Sequence, residues 1–159
     1  KNTAVICAVS ACGKTYLSIH AKNFSVLDID ISGYSKANKN WYKDYVDDIE
    51  DKLGTVDFIM CGHRSIIKEE LKKRDIDFYE VAPAQGEIIK QEWFGRFLLR
   101  DNSHIKDFDS WLEKLKKNYD KYISTEEISR YNPKGIYLLK ENEYISDIIN
   151  DLYVRKELD

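Results

Sequence analysis

An α/β fold is what this sequence predicts: a three-layer sandwich built on a mainly parallel five-stranded sheet. Three observations carry that prediction. Five short apolar runs are each separated by helical stretches. The first run passes through a turn containing Gly13 directly into a helix. Only two prolines occur, and no Ser/Gly-rich linker divides the chain. Its 159 residues therefore read as one domain, 1–159, with one respectable core.

The elements follow in order. Thr3–Ala8 is an apolar run that reads as a buried strand, and a helix runs from about Lys14 to Ala21. The second strand is Phe24–Asp28. A polar stretch from Ser32 to Asn40 leads to a helix near Trp41–Leu53, where Trp41, Tyr45, Ile49 and Leu53 recur on one face. Gly54 is its stop signal. The third strand is Val56–Cys61, followed by a helix over about Ser65–Arg74. The fourth is Phe78–Ala82, ended by Pro83. Two helices come next, about Gly86–Arg100 and Phe108–Ile123, joined by the polar turn Asp101–His104. The fifth strand is Gly135–Leu139, and an amphipathic helix over about Tyr144–Lys156 closes the fold. Chirality makes the crossovers right-handed.

Composition narrows the function classes. The chain is 43% hydrophobic and 33% charged, which is globular rather than disordered. Its formal net charge of −3 provides no basic field for duplex nucleic acid. No apolar run is long enough to cross a bilayer, and no signal-like segment is apparent, so a cytoplasmic location is expected. Cys7, Cys12 and Cys61 have no C-x-x-C spacing and read as reduced thiols rather than zinc ligands. Cys12 is open to oxidation or alkylation if exposed.

The chemistry begins at Ala8-Val9-Ser10-Ala11-Cys12-Gly13-Lys14-Thr15. Strand, turn and helix in that order suit an anion, because turn amides and a helix N-terminus converge on it. Gly13 permits close approach of backbone, Lys14 can span two phosphates, and the Thr15 hydroxyl can ligate magnesium. The stretch resembles the Walker A motif of P-loop nucleotide-binding proteins. Its first glycine is replaced by Ala8, a variant tolerated there because the site is the end of a strand. The resemblance implies that Ser10, Ala11, Cys12, Gly13, Lys14 and Thr15 hold ATP or another nucleoside triphosphate with Mg2+.

Parallel sheets gather ligands at the carboxyl ends of their strands, so the residues following each strand matter most. Asp28-Ile29-Asp30 follows the second strand and puts both carboxylates on one side. Each can serve a metal or an acceptor, or simply cap a turn. The pair resembles small-molecule kinases of the P-loop class, such as shikimate and gluconate kinases. That likeness implies Asp28 on the metal side, with Thr15, and Asp30 as the catalytic residue on the acceptor side. No acid ends the third strand, since Asp57 lies at its start. That argues against a motor-type ATPase.

His63 and Arg64 follow the third strand, where such kinases place acceptor-binding groups. His63 can equally be a turn histidine bonded to backbone, and Arg64 can pair with Glu69 or Glu70. Arg96 and Arg100 share a helical face after the fourth strand. Trp93, Phe97 and Leu98 are expected to pack inward. The order of elements resembles nucleoside monophosphate kinases, whose lid arginines close over the transferring phosphoryl group. This implies a helical lid around 86–123 with Arg96 and Arg100 as catalytic cations. Pairing with Glu92 and Asp101 is the plainer alternative. Tyr34, Trp41 or Tyr42 can stack on an acceptor.

The implied activity is an ATP- and magnesium-dependent phosphotransferase in which Lys14 is catalytic. The favoured acceptor is a small molecule, a nucleoside or deoxynucleoside monophosphate. Another metabolite, a sugar nucleotide or a polynucleotide 5′ end remain as acceptors. So does a different class, a nucleotide-binding module with little turnover.

Overall fold

A computed structural model describes all of residues 1–159. The chain runs β1 (Ala4–Ala8), α1 (Lys14–His20), β2 (Val26–Asp28), α2 (Trp41–Lys52), β3 (Phe58–Cys61), α3 (Ser65–Lys73), β4 (Phe78–Pro83), α4 (Glu87–Leu99), α5 (Phe108–Tyr122), α6 (Thr125–Ser129), β5 (Gly135–Leu139) and α7 (Ile145–Leu158). A 3-10 turn, Ile31–Gly33, follows β2. The sheet order is β2-β3-β1-β4-β5. Every pairing is parallel, so the sheet is wholly rather than mainly parallel.

The alternation along β1 builds both cores. Ala4, Ile6 and Ala8 face one cluster, which also holds Leu17 of α1, Trp93 and Phe97 of α4, Tyr119 of α5 and Leu152 of α7. Val5 and Cys7 face the other, with Tyr45 and Ile49 of α2 and Ile67 and Leu71 of α3. Helices thus cover both faces, giving three layers, and the central strands are apolar on both sides as a buried parallel sheet requires. No helix is long and apolar enough to cross a membrane.

Two differences from the expected elements have physical causes. β2 begins at Val26 rather than Phe24, because Ser25 is occupied with Asp57 across the edge: its N–H and hydroxyl both donate to Asp57 Oδ2, at 3.0 and 3.1 Å. Phe24 packs instead on Phe58 and Tyr153. The short helix α6 lay hidden in a polar stretch. It is started by Ser124, whose hydroxyl accepts from the Glu127 N–H at 3.2 Å.

Candidate functional site

The loop between β1 and α1 leaves the sheet after the Val9 N–H donates to the Val81 carbonyl at 3.1 Å. Ala11 and Gly13 then take positive φ, 69° and 93°, which curls the backbone into a concave nest. Its carbonyls are pinned from outside. The Trp93 indole donates to Ser10 O at 2.9 Å, Arg96 to Ala11 O at 3.1 Å, and the Ile145 N–H to Cys12 O at 2.9 Å. Lys14 reaches back across the loop to Ala8 O at 2.9 Å. The N–H groups of Ser10, Ala11, Cys12 and Gly13 donate to no protein acceptor. With carbonyls held out and amides free, the nest can hold an anion. Gly13 cannot be exchanged freely: beyond its φ, a Cβ there would lie 3.1 Å from the Tyr144 ring. Cys12 is buried and its thiol is pushed up to about 12 by that burial, so it is no reagent-accessible thiol.

Thr15 and Asp28 come together as expected. The Thr15 hydroxyl donates to Asp28 Oδ2 at 3.0 Å. Burial raises the Asp28 carboxyl above its ordinary value, while the Thr15 hydroxyl and the Lys14 ammonium pull it down. A hydroxyl and one carboxylate beside the nest match the donor set magnesium takes, since that ion keeps waters and substrate oxygens as its other ligands. Nowhere do three His, Cys, Asp or Glu side chains form a metal cage. Asp30 is differently placed. Its Oδ1 accepts from the Ser32 N–H at 2.9 Å, capping the 3-10 turn. Capping engages one carboxylate oxygen and fixes the side chain, while Asp30 lines the cavity.

That cavity has a volume of about 980 Å³. Its walls come from the loop, the segment after β2, the segment Gly62-His63-Arg64, and helices α4 and α5. Lys36, Arg64 and Arg100 line it without carboxylate partners. Arg64 is free because Glu69 pairs with Lys73 and Glu70 with Arg74. Its guanidinium lies 5.5 Å from the Trp41 ring, which also carries Lys36 at 4.0 Å. Partial burial lowers the Lys36 ammonium, and the neighbouring Arg64 charge adds to the effect. Arg100 rests on the Phe97 ring, donates to Asn102 Oδ1 at 3.2 Å, and is lowered by burial. Lys36 was missed by sequence reasoning, because it sits in a polar stretch with no motif around it.

Arg96 corrects an expectation. It is buried, and its guanidinium lies between the Trp93 and Tyr144 rings at 4.0 and 3.8 Å. It donates to Ala11 O and, at 2.5 Å, to Glu143 O, and pairs with Glu92 at 3.3 Å. It is a strut joining α4, the loop and the segment before α7, not a cation free to close over a ligand. Leu98, expected to pack inward, is 62% exposed, since Arg96 takes the inner face instead. Of the aromatics after β2, Tyr34 bonds Asp48 and packs on Tyr45, Trp41 is buried beneath its two cations, and Tyr42 meets Trp41 edge-on.

His63 is neither a turn histidine bonded to backbone nor an open ligand group. It is buried at the cavity wall with Glu80 of β4 and Lys68 of α3. Lys68 Nζ lies 2.6 Å from Glu80 Oε1, and His63 Nε2 lies 3.1 Å from Glu80 Oε2. Burial lowers the His63 pKa against the pull of Glu80. The signal for this cluster was Glu80 itself, an acid inside the apolar run Phe78–Ala82 that demands a buried cation. No protein-family model matches the chain, and comparison with curated proteins finds no relative of it.

Proposed function

We propose that this protein is a P-loop phosphotransferase of the nucleotide kinase type, moving the γ-phosphoryl group of ATP to a small anionic acceptor. One observation carries the reading: the loop's amides are unpaired while its carbonyls are pinned outward, with the Thr15–Asp28 pair beside them. A triphosphate tail satisfies those amides, and Lys14 moves from Ala8 O to its β- and γ-oxygens. Thr15 and Asp28 would hold Mg2+, which supplies charge neutralisation between the phosphates. The acceptor oxygen attacks the γ-phosphorus as the bond to the ADP oxygen breaks. Arg100 stabilises the migrating charge. Lys36 and Arg64, without carboxylates of their own, favour an acceptor that carries phosphate, which fits a nucleoside monophosphate.

A second reading has its own support. The cap fixes the Asp30 side chain through Oδ1, and a nucleotide-binding module with little turnover uses the same loop and the same Thr15–Asp28 pair. One pair of measurements separates them. Calorimetric titration with Mg·ATP should show binding that Lys14→Ala weakens by about 10–100-fold, the loss of one charge-assisted contact. ADP release should then depend on one of a panel of nucleoside monophosphates and small alcohols. Binding without acceptor-dependent release supports the module. No binding at all overturns both.

A further inference from the structure

One ribose separates the phosphates of a nucleotide from its base, so a nucleotide held in the nest brings its base to a surface beside the loop. Two of the aromatic side chains lining the cavity are exposed, Tyr16 at 62% and Tyr144 at 43%. The other rings are taken up by neighbours: Trp93 and Phe97 carry Arg96 and Arg100, Trp111 stacks on Phe108, Tyr119 packs on Phe94 and Tyr122 on His63. Tyr16 stands on the first turn of α1 and leans on His20, with ring centroids 4.2 Å apart. Tyr144 is fixed from three directions. The Arg96 guanidinium covers one face of its ring at 3.8 Å. Its Cδ1 edge lies 3.1 Å from where a Gly13 Cβ would stand. Its backbone N–H donates to Asp147 Oδ2 at 2.8 Å, and the next N–H, of Ile145, holds Cys12 O at 2.9 Å. A flat ring is thus locked against the phosphate loop, with its second face left for the cavity. The segment before it has little with which to read a base edge: the Asn142 N–H is engaged by Glu92 Oε1, Glu143 Oε1 by the Lys140 N–H, and Glu143 O by Arg96.

We propose that Tyr144 is a specificity-determining residue on whose free face the base of the donor nucleotide stacks, selecting a purine over a pyrimidine by the ring area covered. The proposal rests on the phosphotransferase reading and deepens it, since it names the class of donor. A purine covers more of a phenol ring than a pyrimidine does, and stacking is indifferent to the donors and acceptors on the base edge because every base has a π-face. Arg96 on the rear face keeps the ring from turning, so the strut that pins Ala11 O also presents the stacking surface.

The test is calorimetric titration of the whole chain with Mg·ATP, Mg·CTP and Mg·tripolyphosphate, the last having the phosphates and no base. The parent should bind ATP about fivefold or more tighter than CTP, and about tenfold or more tighter than tripolyphosphate. Tyr144→Phe should keep both ratios. Tyr144→Leu keeps an apolar side chain against Gly13 without a flat ring. It should weaken ATP about tenfold, leave tripolyphosphate within about threefold, and bring ATP and CTP within about twofold of each other. Equal losses for ATP and tripolyphosphate mean that Tyr144 only props the loop, and they overturn the proposal. So does an ATP-to-CTP ratio that survives in Tyr144→Leu, or a larger loss of ATP affinity in Tyr16→Ala than in Tyr144→Leu. Mg·ATP binding no tighter than Mg·tripolyphosphate in the parent overturns the base site and leaves the phosphotransferase reading standing. Binding of neither overturns that reading, and the base site with it.

Discussion

Replacing Arg96 by methionine separates a strut from a lid cation. Methionine keeps much of the side-chain length between Trp93 and Tyr144 but has no proton to donate. The structure loses the bonds to Ala11 O at 3.1 Å and Glu143 O at 2.5 Å. Hydrogen bonds from a charged donor contribute about 1.5–3 kcal/mol each. The two ring contacts, at 4.0 and 3.8 Å, add roughly 0.5–2 kcal/mol, part of which methionine retains. A net loss of about 3–5 kcal/mol follows, and in a chain of this size ~1 kcal/mol moves the melting temperature by about 2–4 °C. Arg96→Met should therefore melt about 6–20 °C lower than the parent in a thermal scan. Because Ala11 O is released, Mg·ATP affinity measured by titration should fall as well. An arginine that acts only on a migrating phosphoryl group predicts the reverse pattern: melting within about 3 °C of the parent and turnover reduced ~100-fold or more. That outcome would refute the strut.

Two further changes test the site's supports. Asp28→Asn should abolish most Mg2+-dependent nucleotide affinity, read by titration with and without the metal. In the parent that affinity should decline on acidification at a pH above the ordinary carboxylate range, because burial raises the Asp28 pKa and the metal needs the ionised form. The stability sign is opposite: a raised folded pKa gives stability that is present at low pH and lost as pH rises through it, so Asp28→Asn should melt higher than the parent at pH 7. Gly62→Ala would place a Cβ 2.0 Å from Ile31 Cδ1 and 2.9 Å from Cγ1. Overpacking of that kind costs about 1–3 kcal/mol in urea unfolding, and Ile31→Val, which removes the Cδ1 atom, should recover part of it. Independent, additive losses would show that Ile31 does not press on Gly62.

Much of the fold was legible because its signals are local. Apolar runs bounded by glycine, proline or polar clusters marked the strands, and the four-residue recurrence of Trp41, Tyr45 and Ile49 marked the face of α2 that is buried. The turn from β1 into α1 was readable for the same reason: Gly13 and its neighbours carry their conformational demand in their own chemistry. The meeting of Thr15 with Asp28 was implied by the resemblance to P-loop kinases, and the strand order β2-β3-β1 is what brings the two to one edge.

The sequence by itself determined a parallel α/β sheet, the loop at residues 8–15 and the carboxylate beside it, since periodicity and turn chemistry act between near neighbours. Tertiary structure alone decided how the charged side chains are used. Arg96 and Arg100 stand four residues apart on one helix, yet one meets Ala11 and Glu143 across the fold and is consumed, while the other meets no carboxylate. His63 was claimed by Lys68 and Glu80 from two other elements, whereas the Asp30 cap on Ser32 is a local pairing. A charge is defined by its partners, and for Arg96 and Glu80 the deciding ones come from other elements of the fold.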